Sequence, residues 1–254
     1  MSLLEVKNLQ HKFRDGTDAL KGVSFSVEEG DFIVIAGENG SGKTVMLRHL
    51  NGLYKPSSGE VLFEGRSVYT QIRKVRQSIG LVFQDADSQI VSQTVWDDVA
   101  FGPVNLKLSK AEIKERVTRV LITTGLLKLK DHSPHKLSGG EKRKLAIAGV
   151  LAMNPRIILL DEPFSNLDYQ GIVDIIRQII ELHKKGHTII CVTHEIEKIL
   201  FHANRLIIME NGLIVEDNLP VKSIEKLHKF NICPPLTVNG KNNLEILKQM
   251  TWLK

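Results

Sequence analysis

A chain of 254 residues with 42% hydrophobic and 25% charged residues holds enough apolar material for a large core, which excludes a disordered or collagen-like polymer. Its net charge of +5 is dispersed along the chain, so it reads as a solvated surface, with no nucleic acid expected as a partner. Two cysteines, Cys191 and Cys233, exclude a disulfide framework and point to a reducing cytosol. MSLLEVKN is no secretory signal and no apolar run approaches the roughly 18 residues of a membrane span, so work at a membrane is expected to pass through a partner.

In chain order, LLEVKNL at 3–9 and VSFSV at 23–27 alternate apolar and polar residues, the pattern of half-buried strands. DFIVIAG at 31–37 is nearly continuous and suits a central strand buried on both faces. A helix is expected from Lys43, carrying Val45, Met46, Leu47 and Leu50 and ending at Asn51-Gly52. VLFEG at 61–65 and IGLVFQ at 79–84 read as further strands. From about Thr94 to Met153 the pattern turns helical. Ser109 and Glu112 form a capping box, residues 137–140 interrupt, and another helix runs through Ala152.

Strand and helix then alternate: RIILLD at 156–161, a helix from about 171 to 184, TIICVT at 188–193, a short helix, and RLIIME at 205–210. Cys191, inside TIICV, reads as a small buried hydrophobe. Such alternation argues for a parallel sheet flanked by helices. The expected architecture is one α/β domain over residues 1–220, interrupted by a helical subdomain at about 85–154. A tail at 221–254, which includes Cys233, has no assigned role.

GENGSGKT at 37–44 fits the pattern G-x-x-x-x-G-K-[ST] and has the right setting, a buried strand before it and a helix after it. Gly37, Gly40 and Gly42 allow backbone angles closed to other residues, and Glu38, Asn39 and Ser41 complete the loop. Its amides converge on a β-phosphate at the positive end of the helix dipole. Lys43 is expected to reach the β- and γ-phosphates of ATP, and the Thr44 hydroxyl to bind Mg²⁺. The apolar strand RIILL ends in two carboxylates. Asp161, at the strand end, suits a Mg²⁺-linked position, and Glu162 suits a general base that takes a proton from the attacking water.

LSGGE at 137–141, SNLD at 165–168 and VTHE at 192–195 complete an ordered set of five motifs. With these in place the chain resembles the nucleotide-binding subunit of an ATP-binding cassette (ABC) transporter over about residues 3–220. The resemblance implies a P-loop NTPase core of mixed, mainly parallel sheet, an antiparallel β subdomain and an inserted α-helical subdomain. It further implies that Phe13 stacks on adenine, where tyrosine is more usual. Gln84 would sense Mg²⁺, the attacking water and the membrane partner. Ser138, Gly139 and Gly140, with Glu141, would contact the ATP of the opposite subunit. Asp168 would bridge the two subunits, and His194 would hydrogen-bond the γ-phosphate. Two departures stand out: Glu141 where glutamine is usual, which adds negative charge near an anion site, and Ala86 where proline is common.

The stretch FQDADSQIVSQTVWDDVAFGPVNLKLS at 83–109 resembles the energy-coupling factor importers of vitamins and transition-metal ions, through Gln89, Thr94, Val95, Asp98, Val99, Ala100, Phe101 and Gly102. Its FGPVNLKLS ending is similar to the cobalt and nickel branch. The resemblance implies three partners: a second ATPase subunit (a copy or a paralogue), an integral membrane transporter subunit and a substrate-binding membrane subunit. It places the chain peripherally on the cytoplasmic face of the membrane. Alternatives are a soluble cassette ATPase acting on nucleic acid or ribosomes, and the ATPase of another ABC transporter type. No heptad run supports a DNA-repair coiled coil, and LKDHSPHKLSGG lacks the stretch that exporters carry before the signature. The pairs His183/His187 and His132/His135 contain Gly186 and Pro134 and are read as solvated histidines rather than metal ligands.

Overall fold

The computed structural model describes residues 2–230, 232 and 242–253. The strands and helices run β1 (Leu4–Lys12), β2 (Asp18–Val27), β3 (Phe32–Ala36), α1 (Lys43–Leu50), β4 (Ser58–Phe63), β5 (Arg66–Ser67), α2 (Ile72–Ser78) and β6 (Ile79–Val82). The helices α3 (Val95–Asn105), α4 (Lys110–Thr123) and α5 (Gly139–Leu151) follow. The chain then returns through β7 (Ile157–Asp161), α6 (Tyr169–Lys184), β8 (Thr188–Val192), β9 (Arg205–Glu210), β10 (Leu213–Asn218), α7 (Pro220–Ser223) and α8 (Asn243–Leu247).

Two sheets form, one four-stranded and antiparallel in the order β2-β1-β4-β5, the other six-stranded in the order β10-β9-β3-β8-β7-β6. In the larger sheet β9, β3, β8, β7 and β6 are mutually parallel, and only β10 pairs antiparallel, with β9. Successive side chains of a strand point to opposite faces, and here both faces are covered. Phe32, Val34 and Ala36 of β3 join the cluster formed with the helices, whereas Ile33 and Ile35 pack toward α1 and the antiparallel sheet. β7 divides the same way, Ile158 and Leu160 against Ile157 and Leu159. Two-sided burial explains why these strands read as unbroken apolar runs.

Three helices, α3, α4 and α5, lie between β6 and β7. Thr94 caps α3 by accepting from Asp97 N, and Ser109 with Glu112 forms the anticipated capping box on α4. The α6 boundary differs: Asp168 caps it by accepting from Gly171 N at 2.8 Å, so the helix starts at Tyr169 rather than near 171. The strand expected at 61–65 stops at Phe63, because Glu64 and Gly65 both take positive φ and turn the chain into β5. Cys191 is buried as expected, while Cys233 lies outside the described residues. His132 and His135 are exposed. His183 and His187 are instead half-buried, each 2.8 Å from a backbone carbonyl, of Gly30 and Pro155 respectively.

Candidate functional site

Because the parallel strands point the same way, their carboxyl ends gather the loops after β3, β6, β7 and β8 at one edge, where ligands of open α/β sheets bind. The loop after β3 enters α1 through Gly42, which is left-handed with φ 100°. No side chain caps α1 and no acidic residue sits in its first turn, so its leading amides are free to meet an anion. Gly37 has φ 143°, and a Cβ there would lie 2.1 Å from Met209 O. At Gly42 it would lie 2.6 Å from Ala19 O. These two glycines are required by the backbone and its close neighbours alike.

Lys43 folds back over the loop, its Nζ donating to Gly37 O at 2.7 Å and Glu38 O at 2.8 Å. Burial pushes its ammonium below the usual lysine range, against the opposing pull of Glu162 and Asp161. The Thr44 hydroxyl donates to Asp161 Oδ1 at 3.0 Å, joining the loop to the end of β7. Burial raises the Asp161 carboxyl; Thr44 counters this and the neighbouring Glu162 charge adds to it. Glu162 is almost buried, with left-handed φ 45°. Its Oε2 lies 3.0 Å from His194 Nδ1 and accepts from His194 N at 3.4 Å.

A cleft of about 520 Å³ brings together Phe13, Asn39, Gly40, Gly42, Lys43, Thr44, Gln84, Glu162 and His194. Asp161 lies below it, through Thr44. Thr44, Asp161 and Gln84 also line an adjoining cleft and offer only oxygen donors beside the phosphate loop. Among the described residues no cluster of three or more His, Cys, Asp or Glu side chains forms a metal cage. A hydroxyl, one carboxylate and an amide oxygen suit Mg²⁺, which retains water and takes substrate phosphates as ligands.

Ser138, Gly139, Gly140, Glu141 and Asp168 lie elsewhere, around a second cleft of about 390 Å³ that shares no lining residue with the first. Ser138 and Glu141 form a capping box on α5. Glu141 Oε2 accepts from both Ser138 N and Ser138 Oγ at 2.8 Å, and these bonds hold the Glu141 carboxyl below its ordinary range. Glutamic acid thus fits the third position of the helix as a cap partner. The amides of Gly139 and Gly140, at the helix start, have no intrahelical acceptor and remain for an outside anion.

Sequence reading missed Arg143. It is almost buried in α5, and its guanidinium donates to Phe83 O and Gln84 O, each at 2.6 Å. Gln89 closes the same loop, accepting from Phe83 N at 3.0 Å and donating to Ala146 O at 3.3 Å. Asp98 accepts from Val91 N and Ser92 N, so it braces this loop as well as its helix. The available signal was the placement of Arg143 one turn before Ile147, on a face otherwise given to apolar residues.

Behind Phe13 stands a ring cluster. Phe13 meets His11 edge-on at 4.7 Å, His11 stacks on Tyr54 at 5.3 Å, and His11 Nδ1 lies 3.0 Å from Nε2 of buried His49. Tyr69 Oη is 3.5 Å from His49 Nδ1, and Arg48 donates to Tyr54 Oη. Burial, and then His11, push His49 from 6.5 down to about 4. Between those values the unfolded chain binds a proton that the folded chain does not, so stability falls as pH drops through this window. The expected loss is about 3 kcal/mol. Urea unfolding of wild type and His49→Gln across the window checks it: the variant should lose less stability on acidification, and parallel curves would refute the assignment.

A sequence profile described as ABC transporter matches residues 20–165. The chain is 39% identical over 258 residues to the energy-coupling factor transporter ATP-binding protein EcfA of Methanocaldococcus jannaschii, covering 97% of this chain and 92% of that protein. It is also 39% identical to EcfA3 of Clostridium perfringens, with 97% and 88% covered. Among solved structures it is similar to cbiO1 from Clostridium perfringens, part of the ABC transporter complex cbiONQ. The TM-score there is 0.80 at 39% identity, over 90% of this chain and 95% of that one. A bacterial ABC transporter cassette solved as a dimer matches with TM-score 0.77 at 31% identity, covering 85% and 98%.

Proposed function

The chain belongs to the ATP-binding subunits of ABC transporters, in the energy-coupling factor group, and we propose that it binds and hydrolyses Mg·ATP to drive import through a membrane partner. The observation that carries this is the meeting of Lys43 and Thr44 with Asp161, Glu162, His194 and Gln84 at one sheet edge. In this reading Phe13 stacks on adenine while Glu38, Asn39, Gly40 and Ser41 shape the loop around the phosphates. Thr44, Asp161 and Gln84 hold Mg²⁺, which when bound neutralises charge on the β- and γ-phosphates. Glu162 takes the proton of the attacking water, and His194, bonded to Glu162, donates to the γ-phosphate.

Separation of the two clefts supports a paired machine. The amides of Gly139 and Gly140 and the Ser138 hydroxyl complete the site of the opposite subunit, and Asp168 communicates between the two. The second subunit is a copy or a paralogue. A lone chain then hydrolyses slowly, because half of each site is absent.

Coupling runs through Gln84. Its backbone is strapped to α5 by Arg143, and its side chain lines a groove of about 490 Å³ with Leu53, Tyr54 and Phe83. Val91, Phe101 and Val104 are exposed apolar residues of the helical subdomain. An integral membrane subunit places a helix there, and a substrate-binding membrane subunit completes the complex. In this reading the chain attaches peripherally at the cytoplasmic face; among the described residues no helix is long and apolar enough to cross a membrane. The cargo is a vitamin or transition-metal ion, with cobalt or nickel favoured by residues 101–109. Affinity purification from detergent-solubilised membranes tests the assignment. Recovery with an integral membrane subunit is expected; recovery with ribosomes or DNA instead contradicts it.

A further inference from the structure

Residues 242–253, from the tail to which the sequence assigns no role, pack behind the site. Ile246, Leu247 and Met250 are buried. Beyond α8 the chain is laced to the segment following His194: Phe201 N donates to Met250 O at 3.0 Å, His202 Nε2 lies 2.8 Å from Thr251 Oγ1, and Trp252 N donates to Lys198 O at 3.3 Å. The Trp252 ring stacks on Tyr169 with centroids 5.4 Å apart and planes 30° apart. Tyr169 directly follows Asp168 in the chain.

Lys198 joins these contacts. It is 4% exposed, and its ammonium pairs with Glu195, the neighbour of His194. That ammonium also lies 4.6 Å from the Trp252 ring centroid and 5.8 Å from that of Phe164, a buried residue between Glu162 and Asp168. A cation this deep needs compensation, and it has one carboxylate and two ring faces, one of them from the tail. A single tail ring therefore touches both the segment after Asp168 and the segment after His194, while lining neither cleft.

We propose that Trp252 is a positioning residue for ATP hydrolysis. It holds the Asp168 and His194 segments in one relative placement, so that they engage nucleotide at the subunit interface together. This rests on the roles given above to Asp168 and His194.

The test uses the full chain with its partners, with turnover normalised to bound ATP so that misfolded molecules do not count. Trp252→Ala should lower kcat about tenfold with little change in KM, and Trp252→Phe should restore most of it. Trp252 is one of only two tryptophans, so the emission of a full-length Trp96→Phe chain measured without its partners reports on it alone. Its emission should change on adding Mg·ATP. Unchanged turnover per bound ATP in Trp252→Ala overturns the proposal. If that variant does not fold, an emission blind to ATP overturns it equally. Wild type without ATPase activity would instead remove the functional reading, and this proposal with it.

Discussion

Lys43→Ala is expected to weaken Mg·ATP binding by about 10- to 100-fold and to abolish measurable turnover, since hydrogen bonds to charged groups contribute about 1.5–3 kcal/mol and each 1.4 kcal/mol is tenfold. The ammonium is held over its own loop by the carbonyls of Gly37 and Glu38, within reach of the space in front of the α1 amides. Burial disfavours its charge, and the Glu162 and Asp161 carboxylates, with the two carbonyls, offset this. A triphosphate adds charge-assisted hydrogen bonds to this ammonium, so a substantial share of the binding energy passes through it. Calorimetric titration with ATP checks the result, with circular dichroism to confirm folding. Unchanged affinity would remove the phosphate-loop reading.

Glu162→Gln is expected to lower kcat by about 10²- to 10⁴-fold, the range spanned by general-base catalysis. Nucleotide binding should survive. The amide occupies the same volume and still offers an oxygen to His194 N and Nδ1, where the carboxylate now sits at 3.4 and 3.0 Å. It cannot take a proton from water. With closure intact and hydrolysis blocked, the variant should accumulate as an ATP-bound pair, visible by sedimentation. Steady-state turnover equal to wild type would remove Glu162 from the base role.

Much of this site was legible because its residues lie where strands end. An unbroken apolar run such as FIVIA or IILL is what a strand covered on both faces requires, and the polar residues that follow it fall at the sheet edge. Other features depended on contacts that no local pattern encodes. Arg143 finds its partners some sixty residues earlier, at Phe83 and Gln84, and only the packed subdomain brings them together. β10 escaped for a different reason: LIVEDN is half-exposed and lacks a buried face. Yet Asn211-Gly212, both at positive φ, directly follows the RLIIME strand as a hairpin signal that could have been used. The antiparallel subdomain was half visible: alternation marked the first part of β1 and the last part of β2, but their other ends, at Lys12 and Asp18, are exposed and polar. In the tail the buried Ile246, Leu247 and Met250 span little more than one helical turn, too short for a clear periodic signal, and the rest of its anchor is a pair of rings and one buried lysine.

Glu141 shows how one residue can satisfy two readings. As a bare helix cap it explains every bond it makes here. As part of the signature it holds the Ser138 hydroxyl proton, which must turn outward for that hydroxyl to donate to a phosphate. The helix-start amides need no such rearrangement.

The account turns on where a nucleotide sits, and a crystal structure of Glu162→Gln grown with Mg·ATP answers that directly. The triphosphate should lie on the 37–44 loop of one subunit with the γ-phosphate facing residues 138–140 of the other. An empty loop with nucleotide bound elsewhere, or a γ-phosphate met by residues 138–140 of the same chain, would contradict it.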